Sequence, residues 1–232
     1  MKKHIVSFSG GKDSTAMLLL MIEKGIRIDR IIFVDTTKEF PQMYEHIDKV
    51  KKMCDIEIEK ATFDFDYFLG RYIKTRGKNK GKIGYGFPDF RNRWCTRCKV
   101  QAFNKKMNSI KSDYIQFHGI AFDEKHRCKD NENIRYPLVE FEIEEKQALE
   151  YCYSKGLDWG GLYEKFDRVS CWCCPLSRIG ELRVLYNDFP ELWLKLIEMD
   201  KLSYREFRSD YTVDQLTQKF SKENKIVNLF NV

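Results

Sequence analysis

The chain opens on a repeating contrast between short, continuously apolar runs and longer amphipathic ones. Ile5-Val6-Ser7-Phe8 has strand character, and Ala16-Met17-Leu18-Leu19-Leu20-Met21-Ile22 follows as a helix that stops near Lys24-Gly25, where a glycine cap is available. Ile31-Ile32-Phe33-Val34 is a second apolar run of the kind buried on both faces of a parallel sheet, with Asp35 at its end. Pro41 opens a helix with Met43, Ile47, Val50 and Met53 at apolar positions, and Ile56 and Ile58 alternate with acids as in a strand nearer a sheet edge. Gly70 to Phe90 carries five glycines and reads as a long, mobile loop. Arg97 to Met107 reads as a helix. Tyr114-Ile115-Gln116-Phe117 reads as a core strand ending in His118-Gly119, and Glu142 to Ser154 as a helix with Ile143, Ala148, Leu149 and Cys152 broadly on one face. The last third is mostly helical, from Ile179 to Tyr186 and from Pro190 to about Tyr204.

Alternating strands and helices predict an α/β fold: a doubly wound, mostly parallel sheet with helices on both faces. Residues 1–140 are expected to form its core, with a basic loop at 70–90. Residues 141–232 are expected to form a mainly helical region packed on that core as one compact unit. Ligands of such sheets bind at the carboxyl ends of strands, where this reading places Ser9, Asp35 and Gly119.

At 232 residues the chain has room for one large domain or a core with a small appendage. No apolar run reaches the ~18 residues of a membrane span, and the N-terminus lacks a signal-peptide pattern, so a cytoplasmic location without membrane contact is expected. Charge is unevenly placed. Between Arg71 and Lys82 there are six Lys or Arg and no acid, and Arg91, Arg93, Arg97 and Lys99 follow. The stretch 71–99 is either a solvated segment or a contact for a polyanion such as nucleic acid. Tyr72, Tyr85, Phe87 and Phe90, interleaved there, can stack on bases or anchor the segment.

Ser9-Gly10-Gly11-Lys12-Asp13-Ser14, between the first strand and the first helix, carries the clearest chemistry. Two glycines allow a sharp turn and close backbone approach to a ligand. The helix start offers unpaired N–H groups and partial positive charge, which suit phosphate. Ser9 and Ser14 add hydroxyls and Lys12 a mobile cation. The spacing is not that of a Walker A loop, because Lys12 is followed by Asp13.

Eight cysteines are many for a chain of this kind in a reducing compartment. Cys95-x2-Cys98 and Cys171-x2-Cys174 can close a four-thiolate site for an iron–sulfur cluster or for zinc, tying distant segments together. Cys173 is either an alternative ligand or a separate thiol. Cys54, Cys128 and Cys152 read as small buried apolar residues.

The hexamer resembles the PP-loop of the ATP pyrophosphatases, which implies a grip on the pyrophosphate end of ATP and cleavage between the α and β phosphates. Phe33-Val34-Asp35-Thr36-Thr37 with Glu39-Phe40-Pro41 resembles a segment of the phosphoadenosine phosphosulfate (PAPS) reductase family, with Thr37 where glycine is usual. Gly119-Ile120-Ala121 through Glu124 to Arg127 resembles another, with Ala121 where arginine is usual. Tyr136-Pro137-Leu138, Leu162-Tyr163, Arg168 and Cys171-x2-Cys174-Pro175 follow in that family's order, so the resemblance runs from residue 4 to about 178.

The resemblance implies an adenine nucleotide alpha hydrolase-like fold. It also implies ATP held by Ser9, Gly10, Gly11, Lys12, Asp13 and Ser14, with Lys12, Asp13 and Ser14 as catalytic candidates. Asp13 and Asp35 become candidates for Mg2+ (Asp13 also as a helix cap, Asp35 also for ribose), while Gly119, Glu124 and Arg127 flank the nucleotide. Within the family the chain is most similar to the DndC-type branch of DNA phosphorothioation. That branch implies a 4Fe-4S cluster on Cys95, Cys98, Cys171 and Cys174, with zinc as the alternative, and a cysteine desulfurase as sulfur donor. No cysteine follows Cys174, which disfavours reduction through a C-terminal cysteine. The expected activity is adenylation with release of pyrophosphate, for sulfur transfer in nucleic-acid modification. The alternatives are a sulfonucleotide reductase, a zinc-braced adenylating amidase or ligase, and a non-catalytic ATP- or nucleic-acid-binding subunit.

Overall fold

The computed structural model describes the backbone of residues 1–230 and the side chains of residues 1–226. The chain's far end, from 227 to 232, read above for its lack of cysteine, lies outside the described side chains. Two compact units are present. The first is Met1–Phe63 with Lys99–Ser170, and the second is Asp64–Cys98 with the residues from Cys171 onward. The divisions therefore fall elsewhere than at residue 140. Residues 141–170 group with the sheet because their helix packs on the helix that follows the first strand.

The first unit is built on a five-stranded, all-parallel sheet. Its strands are β1 (Lys3–Phe8), β2 (Arg30–Asp35), β3 (Ile58–Thr62), β4 (Tyr114–His118) and β5 (Ile134–Arg135), in the order β3-β2-β1-β4-β5. β1 is central, pairing Phe8 with Phe33 on one side and Ser7 with His118 on the other. Its apolar residues are buried on both faces, as the continuous run requires: Ile5, Val6 and Phe8 are at most 2% exposed. β3 lies at one edge, as its alternation with acids suggests.

Helix α1 (Lys12–Glu23) is buried along most of its circumference through Ala16, Met17, Leu18, Leu19 and Met21. α2 (Pro41–Cys54) starts with proline at its first position and ends at Asp55 in the left-handed conformation. Its buried stripe is Met43, His46, Ile47, Val50 and Cys54, while Met53, expected inside, is 46% exposed. One turn's drift along the helix explains the change, since Cys54 occupies the i+4 place after Val50. α3 spans Trp94–Met107. Its Phe103 and Met107 join Ile5, Ile32 and Ala61 in one apolar cluster on the sheet. α4 (Pro137–Glu140) and α5 (Glu145–Ser154) pack against α1. α6 (Leu162–Lys165) closes the unit's regular structure.

After β2 the backbone passes through Thr37 at φ 62, a left-handed conformation that a β-branched residue adopts at a cost of ~1–2 kcal/mol. The Asp35 carboxylate holds the turn by accepting the Thr37 amide at 2.8 Å. Glycine at this place removes the steric cost and keeps the amide. Thr37→Gly is therefore expected to stabilise the protein by ~0.5–1 kcal/mol, read as a rise in the urea midpoint at constant slope. A fall in that midpoint would refute the assignment of strain.

The second unit holds α7 (Ile179–Asp188), α8 (Pro190–Leu202) and α9 (Val213–Phe230), with Tyr186, Trp193 and Phe220 in mutual ring contact at 5.4–5.8 Å. The segment read as a long mobile loop is instead folded. Tyr67–Arg71 is one wide helical turn, and Ile73 bridges Ile83 antiparallel. Backbone bonds Lys74 N to Lys82 O (2.9 Å), Gly81 N to Lys74 O (2.8 Å) and Gly84 N to Tyr72 O (2.7 Å) close a hairpin. Its base is an aromatic stack: Tyr72 lies on Tyr85 at 5.2 Å and Tyr85 on Trp94 at 5.7 Å. Phe87 is buried against Phe207. These three aromatics anchor the segment, and Phe90 alone of the four is exposed.

Candidate functional site

The strand order reverses between β1 and β4, and the loops leaving their carboxyl ends meet there, the place where α/β sheets bind ligands. A cavity of about 750 Å3 opens at this point. Its lining includes Ser9, Gly11, Lys12, Asp13, Gly119, Glu124 and Arg127, so most of the residues singled out in the sequence converge. Gly10 and Ser14 belong to the same loop but face inward. Asp35 is absent from the lining. Its Oδ1 accepts the Thr37 amide and the Tyr44 hydroxyl (2.9 Å), so it shapes the turn beyond β2.

The loop is held by its own serines. Ser9 Oγ and Ser14 Oγ lie 2.9 Å apart, the Ser9 amide donates to Ser14 Oγ at 3.2 Å, and Ser14 Oγ donates to the Gly11 carbonyl at 3.0 Å. Gly10, at φ 79, takes a conformation that favours glycine, and a Cβ there would sit 2.6 Å from Met43 Sδ. Among the described residues no hydrogen bond takes the Gly10, Asp13 or Ser14 amide, leaving three donors at the start of α1 unspent.

Lys12 is 12% exposed at its side chain. Its Nζ lies 3.2 Å from Glu145 and 3.6 Å from Asp13, and 5.8 Å from the centre of the Tyr163 ring. Burial pushes the Asp13 carboxyl up to about 6, against the lowering effect of Lys12 and with Glu145 and Glu124 adding to the rise. Asp13 Oδ1 is buried without a partner. Mg2+ takes one or two carboxylates together with phosphate and water, so an orphaned carboxylate oxygen beside a phosphate-type loop fits that ion. Glu124 and Arg127 pair with each other on the turn Phe122–Arg127.

Glu145 and Lys129 gave little signal in the sequence. Glu145 enters as the first residue of α5. Lys99, Lys129, Tyr136 and Tyr163 line the cavity, as does His118, read above as a strand-end polar residue. His118 Nε2 is 3.1 Å from Gln116 Oε1, and burial, with Lys129, holds its imidazole below the ordinary value. Beneath the loop, His46 is stacked on Trp159 at 4.2 Å with Nε2 3.0 Å from Thr15 Oγ1.

Burial pushes His46 down to about 3, with Lys49 lowering it further and Asp158 opposing. The unfolded chain takes a proton near pH 6.5 that the folded chain refuses until about pH 3. This group's contribution is thus complete above pH 6.5 and lost as pH falls toward 3, at up to ~1.4 kcal/mol per pH unit. Wild type is expected to lose stability over a His46→Asn variant between pH 6.5 and 4 in parallel urea titrations. Parallel curves would overturn the assignment.

Cys95, Cys98, Cys171 and Cys174 all belong to the second unit. Cys95 and Cys98 are one turn apart on α3, and Cys171 to Cys174 forms a tight turn closed by Cys174 N to Cys171 O at 3.1 Å. Among the described residues, no three His, Cys, Asp or Glu side chains gather as a metal site. Each pair is locally compact. No chemistry is derived through the expected cluster or zinc set. Cys54 and Cys152 are buried as expected, and Cys128 is partly exposed.

The phosphoadenosine phosphosulfate reductase domain matches residues 3–177 of this chain. The chain belongs to that domain family. Members of the PAPS reductase family process nucleotides, in keeping with a loop at the sheet's switch point. The chain is 31% identical over 209 residues to the uncharacterized protein MJ0066 of Methanocaldococcus jannaschii, a match covering 84% of this chain and 40% of that protein. It is 30% identical over 164 residues to an uncharacterized nin region protein, ORF290, of Escherichia phage lambda, covering 61% and 57%. A second Methanocaldococcus protein, MJ0973, is 24% identical over 228 residues, covering 92% and 50%, so the chain spans half or less of both archaeal relatives. Among solved structures, a PAPS reductase from Candida auris in complex with phosphate aligns with a TM-score of 0.47 at 15% identity, over 72% of this chain and 81% of that one. Among the described residues of this PAPS reductase-family chain, no helix is long and apolar enough to cross a membrane.

Proposed function

We propose that the protein is an ATP-dependent adenylating enzyme that cleaves ATP between the α and β phosphates. The observation that carries this reading is the Ser9–Ser14 loop at the β1/β4 switch point, with its unspent amides and the Lys12 ammonium at the cavity wall. The β and γ phosphates accept hydrogen bonds from the loop amides, and Lys12 meets the charge that grows on the departing pyrophosphate. Asp13 would hold Mg2+, which would supply positive charge to the phosphates. An acceptor oxygen attacks the α phosphorus, the α–β phosphoanhydride bond breaks, pyrophosphate leaves, and the acceptor's proton passes to solvent. Glu124 and Arg127 flank the nucleotide, and Gly119 lets the β4 end approach it.

The same reading takes the acceptor to be nucleic acid and the second step to be displacement of AMP by a sulfur nucleophile, for which a cysteine desulfurase would supply the sulfur. The exposed cations Arg76, Lys78, Lys80 and Lys82 of the hairpin support a polyanionic partner: among the described residues none of them has an ion-pair partner.

ATP labelled at the α or γ phosphate tests the first step. AMP and pyrophosphate are the expected products with an acceptor present, and ADP with orthophosphate would refute the reading. Binding to single-stranded and duplex oligonucleotides at rising salt tests the second. The affinity is expected to fall steeply, and a flat response would remove nucleic acid as acceptor.

A further inference from the structure

The loop is clasped from below and from the side by one short segment, Trp159-Gly160-Gly161-Leu162-Tyr163, of which the sequence singled out only Leu162-Tyr163, as part of the family resemblance and without a role. Trp159 Nε1 donates to the Gly10 carbonyl at 2.7 Å, and the Lys12 amide donates to the Tyr163 hydroxyl oxygen at 2.9 Å. The two bonds fall on either side of Gly11. The rings of Trp159 and Tyr163 meet edge to face at 4.9 Å, and the Trp159 face rests on His46.

Three successive residues here are left-handed: Trp159 at φ 51, Gly160 at φ 59 and Gly161 at φ 77. A tryptophan in that conformation costs ~1–3 kcal/mol and persists only where its surroundings over-determine it. The indole bond to Gly10 and the stack on His46 are those surroundings. The tight turn has one geometric product: it returns the chain so that the Tyr163 hydroxyl stands at the start of α1. That hydroxyl lies 3.3 Å from the place where a Cβ on Gly11 would be, and Tyr163 lines the cavity.

A phenol hydroxyl has one proton to give and lone pairs to accept with. Tyr163 accepts from Lys12, and among the described residues its own proton has no acceptor. We propose that Tyr163 is a phosphate ligand of this loop: its hydroxyl accepts the Lys12 amide and donates its proton to the phosphoryl oxygens bound there, with Trp159 as the positioning residue that fixes the loop beneath it. This rests on the nucleotide reading given above. Burial, with Asp13 and Glu145 close by, holds the phenol well above its ordinary value, so the donor stays protonated throughout the working range of pH. The amide bond to its oxygen polarises the O–H and strengthens it as a donor. The ligand class is the phosphate end of a nucleotide, with inorganic pyrophosphate as its smallest probe.

Titration calorimetry of the whole chain with Mg2+-pyrophosphate, Mg2+-ATP and AMP tests this without recourse to turnover. Tyr163→Phe keeps the ring and removes the hydroxyl. It is expected to weaken pyrophosphate and ATP by about 10- to 150-fold, the worth of one hydrogen bond to a charged group, while AMP stays within twofold. Trp159→Phe, which keeps an aromatic face but loses the bond to Gly10, is expected to weaken the same two ligands and again spare AMP. Equal pyrophosphate affinity in wild type and Tyr163→Phe would overturn the proposal, and so would a matching loss for AMP, which marks general damage. Wild type that binds neither pyrophosphate nor ATP would instead sink the nucleotide reading itself.

Discussion

Lys12→Ala is expected to cut pyrophosphate release by about a hundredfold to a thousandfold while the protein still folds, the loss seen when one preorganised donor to a developing anion is removed. The reason is the company Lys12 keeps. Its ammonium sits between the carboxylates of Asp13 and Glu145, at 3.6 and 3.2 Å. Without it the departing pyrophosphate loses its cation and also faces two acids that are no longer neutralised. The loss should therefore appear in kcat as well as in KM. Single-turnover assays with labelled ATP, with thermal melts as the folding control, decide the matter. A rate within threefold of wild type would remove Lys12 from the chemistry.

Gly119→Ala should have the second-largest effect, for a different reason. A Cβ at this position would lie 2.7 Å from both the amide nitrogen and the Cα of Ser14, and 2.9 Å from the Asp13 carbonyl carbon. These are backbone atoms of α1's first turn and cannot swing away as a side chain could. The methyl group must push the end of β4 from the phosphate loop, at ~1–3 kcal/mol of stability and with the loop amides displaced from their ligand. The expected result is a lowered melting temperature together with a loss of ATP affinity of tenfold or more. Gly180→Ala, with nothing within 4 Å of its added Cβ, is the matched control and should show neither. Unchanged ATP binding in Gly119→Ala would mean that the close approach is not what positions the loop.

The parts of this fold that the sequence makes legible are those governed by a single local rule. Ile31 to Val34 is an uninterrupted apolar run and Ile5 to Phe8 is broken only by Ser7, and both became strands of a parallel sheet. The glycine pair between strand and helix marked the loop that lines the cavity, and Gly119 was placed at a strand end on the same side. What escaped depends on groups far apart in the chain. The hairpin at 73–83 has no alternating apolar pattern and is held by backbone bonds and by the ring stack on Trp94, so its glycines and lysines read as loop. Asp35 was placed correctly at its strand end, but its carboxylate turned toward Thr37 and Tyr44. α9 could have been found: Thr212 and Gln215 exchange side-chain and backbone bonds across its first turn, ahead of Val213, Leu216 and Phe220 at helical spacing. Tyr163 was legible only within the family resemblance, as Leu162-Tyr163, with no signal for its place beside Lys12.

The separation between the phosphate loop and its supports sets an order of events during synthesis. Ser9 to Ser14 leave the ribosome well before the segment that supports them. The bonds that complete the loop come from 149 residues later, at Trp159, and 151 residues later, at Tyr163. The central strand must likewise wait for β4. A nascent chain that has not yet released Tyr163 can hold strands and helices yet offers no finished cradle, so the nucleotide meets only molecules whose first unit is whole. Bound nucleotide then acts as a seal on completed folding, adding stability to the finished protein and none to its precursors.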